Sequence, residues 1–171
     1  QEEKNLNKIS KIEGKIEFRN VSFEYKKNNE VLKEINLKIS QGQVIAFVGS
    51  SGAGKSTMMA LILKFITPNK GKIFIDDNEI KYISSTDIRK NIALVQQQPF
   101  LFSGRIIEVI KMGRDFSQED VIKSAKIANA HKFIQKLPSK YETEISERGT
   151  NLSGGQIQRN AIARAILGNP S

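Results

Sequence analysis

The chain contains no cysteine and a single histidine, and these shortages exclude several kinds of chemistry. Without cysteine there can be no disulfide, no thiolate metal site and no cysteine nucleophile, which fits a reducing cytoplasm. No apolar run approaches the roughly 20 residues that a membrane-spanning helix needs. The start, QEEKNLNKISKIEG, lacks the apolar centre of a signal peptide. We therefore expect a chain that is soluble by itself.

The composition is that of one globular domain, with 171 residues of which 39% are hydrophobic and 26% charged. Internal repeats and low-complexity tracts are absent from the sequence. The formal net charge is +9, but Lys and Arg are scattered along the chain and form no tract. This charge is compatible with an ordinary solvated surface or with an anionic partner such as nucleic acid, a membrane face or a phosphate ligand.

Apolar periodicity in the first half predicts strands followed by a helix. The segments KIEFRNVSFEY (15–25) and VLKEINLKIS (31–40) alternate apolar and polar residues, which is typical of half-buried antiparallel strands joined here by KKNNE. VIAFV (44–48) is wholly apolar and predicts a strand that is covered on both faces. After a glycine-rich loop, the residues from Lys55 predict a buried helix that ends near Thr67, before Pro68.

The second half continues the mixed α/β pattern. Alternation predicts another strand, an apolar tetrad predicts a second buried strand, and helical spacing with serine or threonine caps predicts three helices. The strands are GKIFIDD (71–77) and IALV (92–95), and the helices are SSTDIRKN (84–91), the segment 117–137 before Pro138, and Ser153 to Leu167.

The loop GSSGAGKST matches the pattern G-x-x-x-x-G-K-[ST] between a predicted strand and a predicted helix. Its glycines allow consecutive backbone N–H groups to curl around phosphate oxygens at the positive end of the helix. In that arrangement Lys55 meets the β and γ phosphates and the Ser56 hydroxyl is a ligand for Mg²⁺. The alternative is a flexible turn with no ligand. The predicted nucleotide-binding residues are Gly49, Ser50, Ser51, Gly52, Ala53, Gly54, Lys55, Ser56 and Thr57.

A second pair of glycines opens the last predicted helix, in NLSGGQIQR (151–159). Ser153 with Gln156 three residues later forms a capping box, which needs no ligand. Glycine costs up to about 1 kcal/mol in a helix relative to alanine, however, and this helix has Gly154 and Gly155 in its first turn. Exposed backbone at a helix start is also a second anion-binding site of the same physical kind.

Four segments together resemble a known family. LSGGQ (152–156) followed by IQRNAIARAIL is similar to the signature motif and helix of ABC-type ATPases. VSFEY resembles the strand whose end carries the adenine-stacking aromatic, here Tyr25, and VQQQPFLF resembles the glutamine loop, with Gln97 at the loop position. TEISERG resembles a loop that faces the transmembrane coupling elements in exporters. The resemblance covers residues 15–171.

The resemblance implies an α/β fold: a P-loop NTPase core with a mainly parallel sheet, an N-terminal antiparallel β subdomain and an inserted α-helical subdomain at about 99–152. Residues 1–14 are expected to be a lead-in. It further implies an ATP-hydrolysing exporter motor at the cytoplasmic face of the cell membrane, using ATP and Mg²⁺. Lys55 and Gln97 would serve catalysis, and Ser56 and Gln97 the metal.

Two glycine motifs serve two nucleotides in this family, because two nucleotide-binding domains pair head to tail. The residues Ser153, Gly154, Gly155 and Gln156 would close over the ATP held by the partner domain. The other expected partner is the transmembrane domain of a transporter, and no specific nucleic acid is expected. The net charge alone supports the alternative, a soluble ABC-type ATPase acting on nucleic acid or the ribosome. A P-loop kinase is disfavoured by LSGGQ.

Several assignments stay open at the level of sequence. Tyr25 is either a stacking residue or an interface side chain, and Gln97 is one of three successive glutamines. Phe100–Phe102 is either plain core or the lining of a groove for a partner's helix. His131 is expected to be structural. Glu144, Glu147 and Arg148 belong either to the exporter loop or to an ordinary charged surface.

One departure from the family concerns the end of the sequence. After ARAILGNPS the family has a further apolar strand with an Asp that holds Mg²⁺ and a Glu that acts as general base, and then a histidine, whereas the sequence stops at Ser171. We therefore expect a fragment that hydrolyses ATP poorly on its own. The transported substrate cannot be inferred, since membrane segments select it in this architecture.

Overall fold

The computed structural model describes residues 7–170, except for the side chain of Arg148. This part of the chain separates into two compact units, which meet in the sequence between Ile92 and Ala93. Within residues 7–170, none of the helices is both long enough and apolar enough to cross a membrane.

The first unit is built on an antiparallel sheet of four strands in the order β2-β1-β3-β4. The predicted hairpin is confirmed: β1 (Ile16–Lys26) pairs with β2 (Asn29–Ile39), and its turn places Asn28 at φ 66°. Asparagine is one of the few side chains that adopts this left-handed conformation readily. β3 (Lys70–Ile75) pairs with β1 where a strand was predicted, and β4 (Asn78–Glu79) adds a short edge.

One face of this sheet is apolar and packs against two helices, α1 (Lys55–Ile62) and α2 (Ser85–Asn91). Apolar side chains of β1, β2 and β3 form this face, and the alternation along β1 is interrupted by a register shift between Phe18 and Val21. Ser84 caps α2 by accepting a hydrogen bond from the backbone N–H of Thr86. The buried residues of this core include Phe18, Val21, Phe23, Leu32, Met58, Leu61, Ile62, Ile73, Ile75, Ile83 and Ile88.

The segment before the sheet also packs on the first unit. Ile12 is buried in the core, and its backbone N–H donates to the side-chain oxygen of Asn91 in α2. The N–H of Ile9 donates to the Asp87 carboxylate, and Asn7 forms an isolated parallel bridge with Ile83. Residues 7–14 are therefore fixed to this unit by both apolar and backbone contacts.

Helix α1 is shorter than the sequence suggested. It ends at Ile62 instead of near Thr67, because Lys64 adopts a left-handed conformation with φ 52°. The N–H of Phe65 then donates to the Ala60 carbonyl at 2.9 Å and the N–H of Lys64 to the Leu61 carbonyl at 3.0 Å. These two bonds form a Schellman cap, which satisfies the last carbonyls of the helix.

Two segments differ from their predicted structure. VIAFV (44–48) and IALV (92–95) belong to neither of the two sheets within residues 7–170. Val44 and Val48 are 95% and 94% exposed. A strand with two apolar faces needs hydrogen-bonded neighbours and covering layers on both sides. Among the described residues neither segment has a neighbouring strand, and 44–48 is covered on one side only, where Phe47 packs on the core of the first unit. The described sheets are antiparallel, so the expected mainly parallel sheet is not seen.

The second unit is helical. It contains α3 (Ile106–Lys111), α4 (Gln118–Ile127), α5 (His131–Ile134) and α6 (Gly154–Ile166), with a short antiparallel pair of strands, β5 (Gly104–Arg105) and β6 (Glu144–Ile145). The predicted last helix is confirmed as α6. The core of this unit includes Leu101, Ile106, Ile110, Val121, Ala125, Ile134, Tyr141, Ile145, Ala163 and Leu167.

The helix predicted over 117–137 is interrupted. Ser117 starts it with a capping box to Asp120, as its sequence indicates, but Asn129 takes φ 54° and separates α4 from α5. The N–H of Ala130 donates to the Ala125 carbonyl at 2.8 Å and that of Asn129 to the Lys126 carbonyl at 3.1 Å. This is again a Schellman cap, here with asparagine in the left-handed position.

Candidate functional site

The glycine-rich loop leads directly into α1 in the first unit. Gly52 and Gly54 have φ 85° and 83°, which side chains other than glycine adopt at a cost. A Cβ atom on Gly54 would lie 2.6 Å from Cδ2 of Leu32 and 3.1 Å from the Val31 carbonyl oxygen. Glycine is therefore required here by conformation and by the close approach of β2, which fixes the loop against the sheet.

Lys55 is the first residue of α1, and its ammonium folds back over the loop. It donates to the carbonyl oxygens of Gly49 at 2.8 Å and Ser50 at 2.7 Å. Both partners are neutral, and no carboxylate within residues 7–170 forms an ion pair with Lys55. The full positive charge is thus available to an anion, at the end of a helix where N–H groups point outward.

Tyr25 lies beside the start of α1, near the end of β1. Its hydroxyl is 3.2 Å from Oγ1 of Thr57, and its ring meets that of Phe23 edge to face, with centroids 4.8 Å apart. Thr57 is buried, whereas Tyr25 is 61% exposed. The structure therefore brings together two of the predicted nucleotide-binding residues, and it leaves an aromatic ring open to solvent beside them.

The Ser56 hydroxyl is exposed at the start of α1 and is a hard oxygen donor, the type of ligand that Mg²⁺ prefers. Among residues 7–170 there is no group of three or more His, Cys, Asp or Glu side chains placed to hold a metal ion. A single hydroxyl oxygen suits a Mg²⁺ that is bound mainly by phosphates, with Ser56 as one protein ligand.

The signature segment begins α6 in the second unit. The Ser153 hydroxyl accepts from the Gln156 N–H at 3.3 Å, and Oε1 of Gln156 accepts from the Ser153 N–H at 2.9 Å, so the capping box is formed. Gly154 and Gly155 are exposed. A Cβ on Gly154 would meet no atom within 4 Å, and one on Gly155 would meet only the Arg159 side chain at 3.7 Å. Packing within the second unit therefore does not require these glycines.

Asn151, which sequence reasoning missed, holds the chain that enters the signature segment. Its side-chain N–H donates to the Glu144 carbonyl at 2.8 Å, and its Oδ1 accepts from the Ser146 N–H at 3.1 Å. Glu144 and Glu147 are exposed. The only signal in the sequence was an asparagine just before a helix cap, a residue that often organises turns.

The structure decides part of the open question about residues 96–102. Gln96, Gln97 and Gln98 are all exposed in the second unit, so the structure does not single out Gln97. Leu101 is buried, whereas Phe100 and Phe102 are exposed and pack edge to face at 5.0 Å. The core interpretation therefore holds for Leu101 alone.

Two further side chains in the second unit have structural partners. Arg164 of α6 donates to the Phe100 carbonyl at 3.1 Å. Nδ1 of His131 lies 2.9 Å from the Tyr141 hydroxyl, which agrees with the expected structural role of this histidine. Burial lowers the pKa of Arg164, and burial with the charge of Arg164 lowers the pKa of Arg114.

Comparison with known proteins gives consistent matches over nearly the whole chain. The family model described as ABC transporter matches residues 32–171. ABC transporter B family member 13 of Arabidopsis thaliana is 47% identical over 170 residues, which are 98% of this chain and 14% of the relative. The putative multidrug export ATP-binding/permease protein YgaD of Bacillus subtilis (strain 168) is 45% identical over 168 residues, which are 97% of this chain and 29% of the relative.

A solved structure agrees in three dimensions. The structure of a bacterial Atm1-family ABC exporter with ATP bound matches with a TM-score of 0.92 at 39% sequence identity, covering 98% of this chain and 29% of that chain. The chain therefore spans less than a third of the length of these relatives.

Proposed function

This chain belongs to the ABC transporter family, and on that premise we propose that it is the ATP-binding motor domain of a membrane exporter. The observation that carries the proposal is the glycine loop at the start of α1, with the unpaired charge of Lys55 above it and the open ring of Tyr25 beside it. The phosphates of a nucleotide need N–H groups and a positive charge, and its base needs an aromatic surface at the other end of the same site.

In this proposal the nucleotide replaces the internal contacts of the loop. Lys55 leaves the carbonyls of Gly49 and Ser50 and binds the β and γ phosphates, and the loop N–H groups surround the remaining phosphate oxygens. Ser56 would supply one oxygen ligand to a Mg²⁺ carried by the nucleotide, and the ion would neutralise phosphate charge. Tyr25 stacks on the adenine ring.

The second glycine motif is proposed to act on a different nucleotide. The bare backbone at Gly154 and Gly155, which packing in the second unit does not explain, would contact the ATP held by a second nucleotide-binding domain. ATP would then join two domains head to tail, and loss of the γ-phosphate would release them. Gln97 is proposed to contact Mg²⁺ and the attacking water.

The remaining proposals concern the whole protein, which in the named relatives is much longer than this chain. We propose that its partner is a transmembrane domain, and that the ATP-binding domain formed by the present chain lies at the cytoplasmic face of the membrane. We also propose that the complete core contains a mainly parallel sheet. The relative YgaD is named as a putative multidrug export protein. The substrate of the present protein would be set by its own membrane segments.

Titration of Mg²⁺-ATP into the purified 171-residue chain tests the proposal. Lys55→Ala should weaken binding by about tenfold to a hundredfold, since the phosphates lose charge-assisted hydrogen bonds. Lys136→Ala is the matched control, because Lys136 is an exposed lysine of the second unit that belongs neither to the loop nor to the strand packed on it, and it should bind as the parent does. Equal affinity of Lys55→Ala and the parent would contradict the phosphate-loop assignment.

A further inference from the structure

Thr57 differs from the rest of the glycine loop in the contact that its side chain makes. It is the third residue of α1, is 5% exposed, and has its hydroxyl 3.2 Å from the hydroxyl of Tyr25. Its side chain is therefore directed toward the strand that carries the aromatic ring. Because a buried hydroxyl needs a hydrogen-bond partner, Thr57 and Tyr25 hold each other in place.

The ring of Tyr25 is held at three places. Its backbone lies in β1, its edge-to-face contact with Phe23 fixes one side, and its hydroxyl is held by Thr57. Much of the ring nevertheless stays open to solvent. A side chain that is already fixed loses little rotamer freedom when a ligand stacks on it, so such a ring is preorganised for binding.

We infer that Thr57 is a positioning residue for the nucleobase: its hydroxyl holds Tyr25 in place so that the ring is a ready stacking surface. This inference rests on the proposed function and extends it, because it gives a residue of the phosphate loop a role in recognising the base. Thr57 acts on the base through Tyr25. Lys55 and the loop amides act on the phosphates.

The two parts of recognition can be separated by comparing ligands with and without a base. ATP and inorganic tripolyphosphate share three linked phosphates, so the ratio of their affinities reports what the nucleoside adds. Loss of one intramolecular hydrogen bond that orients Tyr25 should lower this ratio by about twofold to tenfold. A change at the phosphates would alter both affinities together.

The experiment is titration calorimetry of the 171-residue chain with Mg²⁺-ATP and with Mg²⁺-tripolyphosphate. Thr57→Val is isosteric and removes the hydroxyl, and Tyr25→Phe removes the same hydrogen bond from the other side. Each should lower the ATP-to-tripolyphosphate affinity ratio by about twofold to tenfold. The double variant should lower it no further, since the two share one interaction. Thr57→Ser should restore the ratio of the parent.

Ser56→Ala is the matched control in the same loop, because it removes a neighbouring hydroxyl that does not contact Tyr25. It should weaken both ligands by the same factor and leave the ratio unchanged. The inference is overturned if Thr57→Val weakens both ligands equally, or if Tyr25→Phe keeps the ratio of the parent.

Failure of the inference is distinguishable from failure of the proposed function. A parent chain that binds tripolyphosphate as tightly as ATP contradicts the role of Tyr25 and Thr57 and leaves the phosphate loop intact. A parent that binds neither ligand contradicts the proposed function, and this inference with it.

Discussion

At the scale of single residues, Asn160 departs most clearly from ordinary packing. It lies in α6, is fully buried, and neither its Nδ2 nor its Oδ1 has a hydrogen-bond partner among the residues that the structure describes. Each unsatisfied buried polar group costs about 1–3 kcal/mol of stability. Asn160 therefore destabilises the second unit.

Asn160→Val should raise the free energy of unfolding by about 1–3 kcal/mol, because it removes one buried amide group that has no hydrogen-bond partner. Asparagine and valine have similar helix propensities, so the change reports burial rather than helix formation. Equilibrium unfolding in urea measures the effect.

The control for this prediction is Ser124→Ala in α4. Ser124 is also buried, but its hydroxyl donates to the Val121 carbonyl at 2.9 Å, so its removal should give no comparable gain. If Asn160→Val left stability unchanged or lowered it, the amide would have a partner such as a buried water.

At the scale of elements, the two glycines at the start of α6 lower the stability of this helix, and packing within the second unit does not explain them. The open space around the Cβ positions of Gly154 and Gly155 means that alanine fits there without a clash in the second unit. Each glycine costs up to about 1 kcal/mol relative to alanine in a helix. A helix optimised for its own stability would not have this pair.

The double variant Gly154→Ala with Gly155→Ala should therefore be more stable than the parent and defective in ATP-dependent pairing of the full-length protein. Urea unfolding of the 171-residue chain and size-exclusion chromatography of the full-length protein with ATP measure the two effects. Ser153→Ala is the contrasting variant, since loss of the cap should lower stability by about 1 kcal/mol. Normal pairing by the alanine double variant would contradict the proposed role of the glycines.

The sequence allowed the hairpin, α2 and α6 to be predicted because each is specified by local signals. Alternation specified β1 and β2, and serine caps specified α2 and α6. The ends of α1 and α4 were missed, because apolar spacing continued past Lys64 and Asn129. Asn129 carried a usable signal, since asparagine favours the left-handed cap position, whereas Lys64 carried none.

Other parts depend on contacts that no local pattern contains. The bond from Tyr25 to Thr57 joins residues 32 positions apart, and the bond from Arg164 to Phe100 joins residues 64 apart. The apolar runs at 44–48 and 92–95 indicate strands correctly only if neighbouring strands are supplied. Periodicity describes which faces are apolar and does not describe what covers them.

At the scale of the whole molecule, the exposed valines at 44 and 48 predict self-association. Two nearly fully exposed apolar side chains four residues apart favour contact with a second apolar surface. Val44→Thr with Val48→Thr keeps the β-branched shape and should reduce light scattering of concentrated solutions several-fold.

The matched control is Ile127→Thr, which changes an isolated exposed apolar residue of α4 and should leave the scattering as it is in the parent. Undiminished association of the double valine variant would show that another surface drives it.

For the chain as a whole we also expect ATP binding without efficient ATP hydrolysis. No carboxylate within residues 7–170 is hydrogen-bonded to the phosphate loop, and the proposed water contact, Gln97, is a neutral amide that accepts no proton. We expect the 171-residue chain to bind ATP and to release phosphate far more slowly than the full-length protein. Comparable rates per domain at equal concentration would show that a general base lies within these residues.

The folded-back ammonium of Lys55 has a kinetic consequence. A nucleotide that approaches the loop finds its main cation already engaged with two carbonyl oxygens, at 2.8 and 2.7 Å. Because an exposed side chain changes rotamer within picoseconds to nanoseconds, the exchange of carbonyl for phosphate oxygens is fast compared with diffusional encounter. The ammonium is thus held in the loop until a phosphate replaces the carbonyls, and the observed association rate should stay proportional to nucleotide concentration.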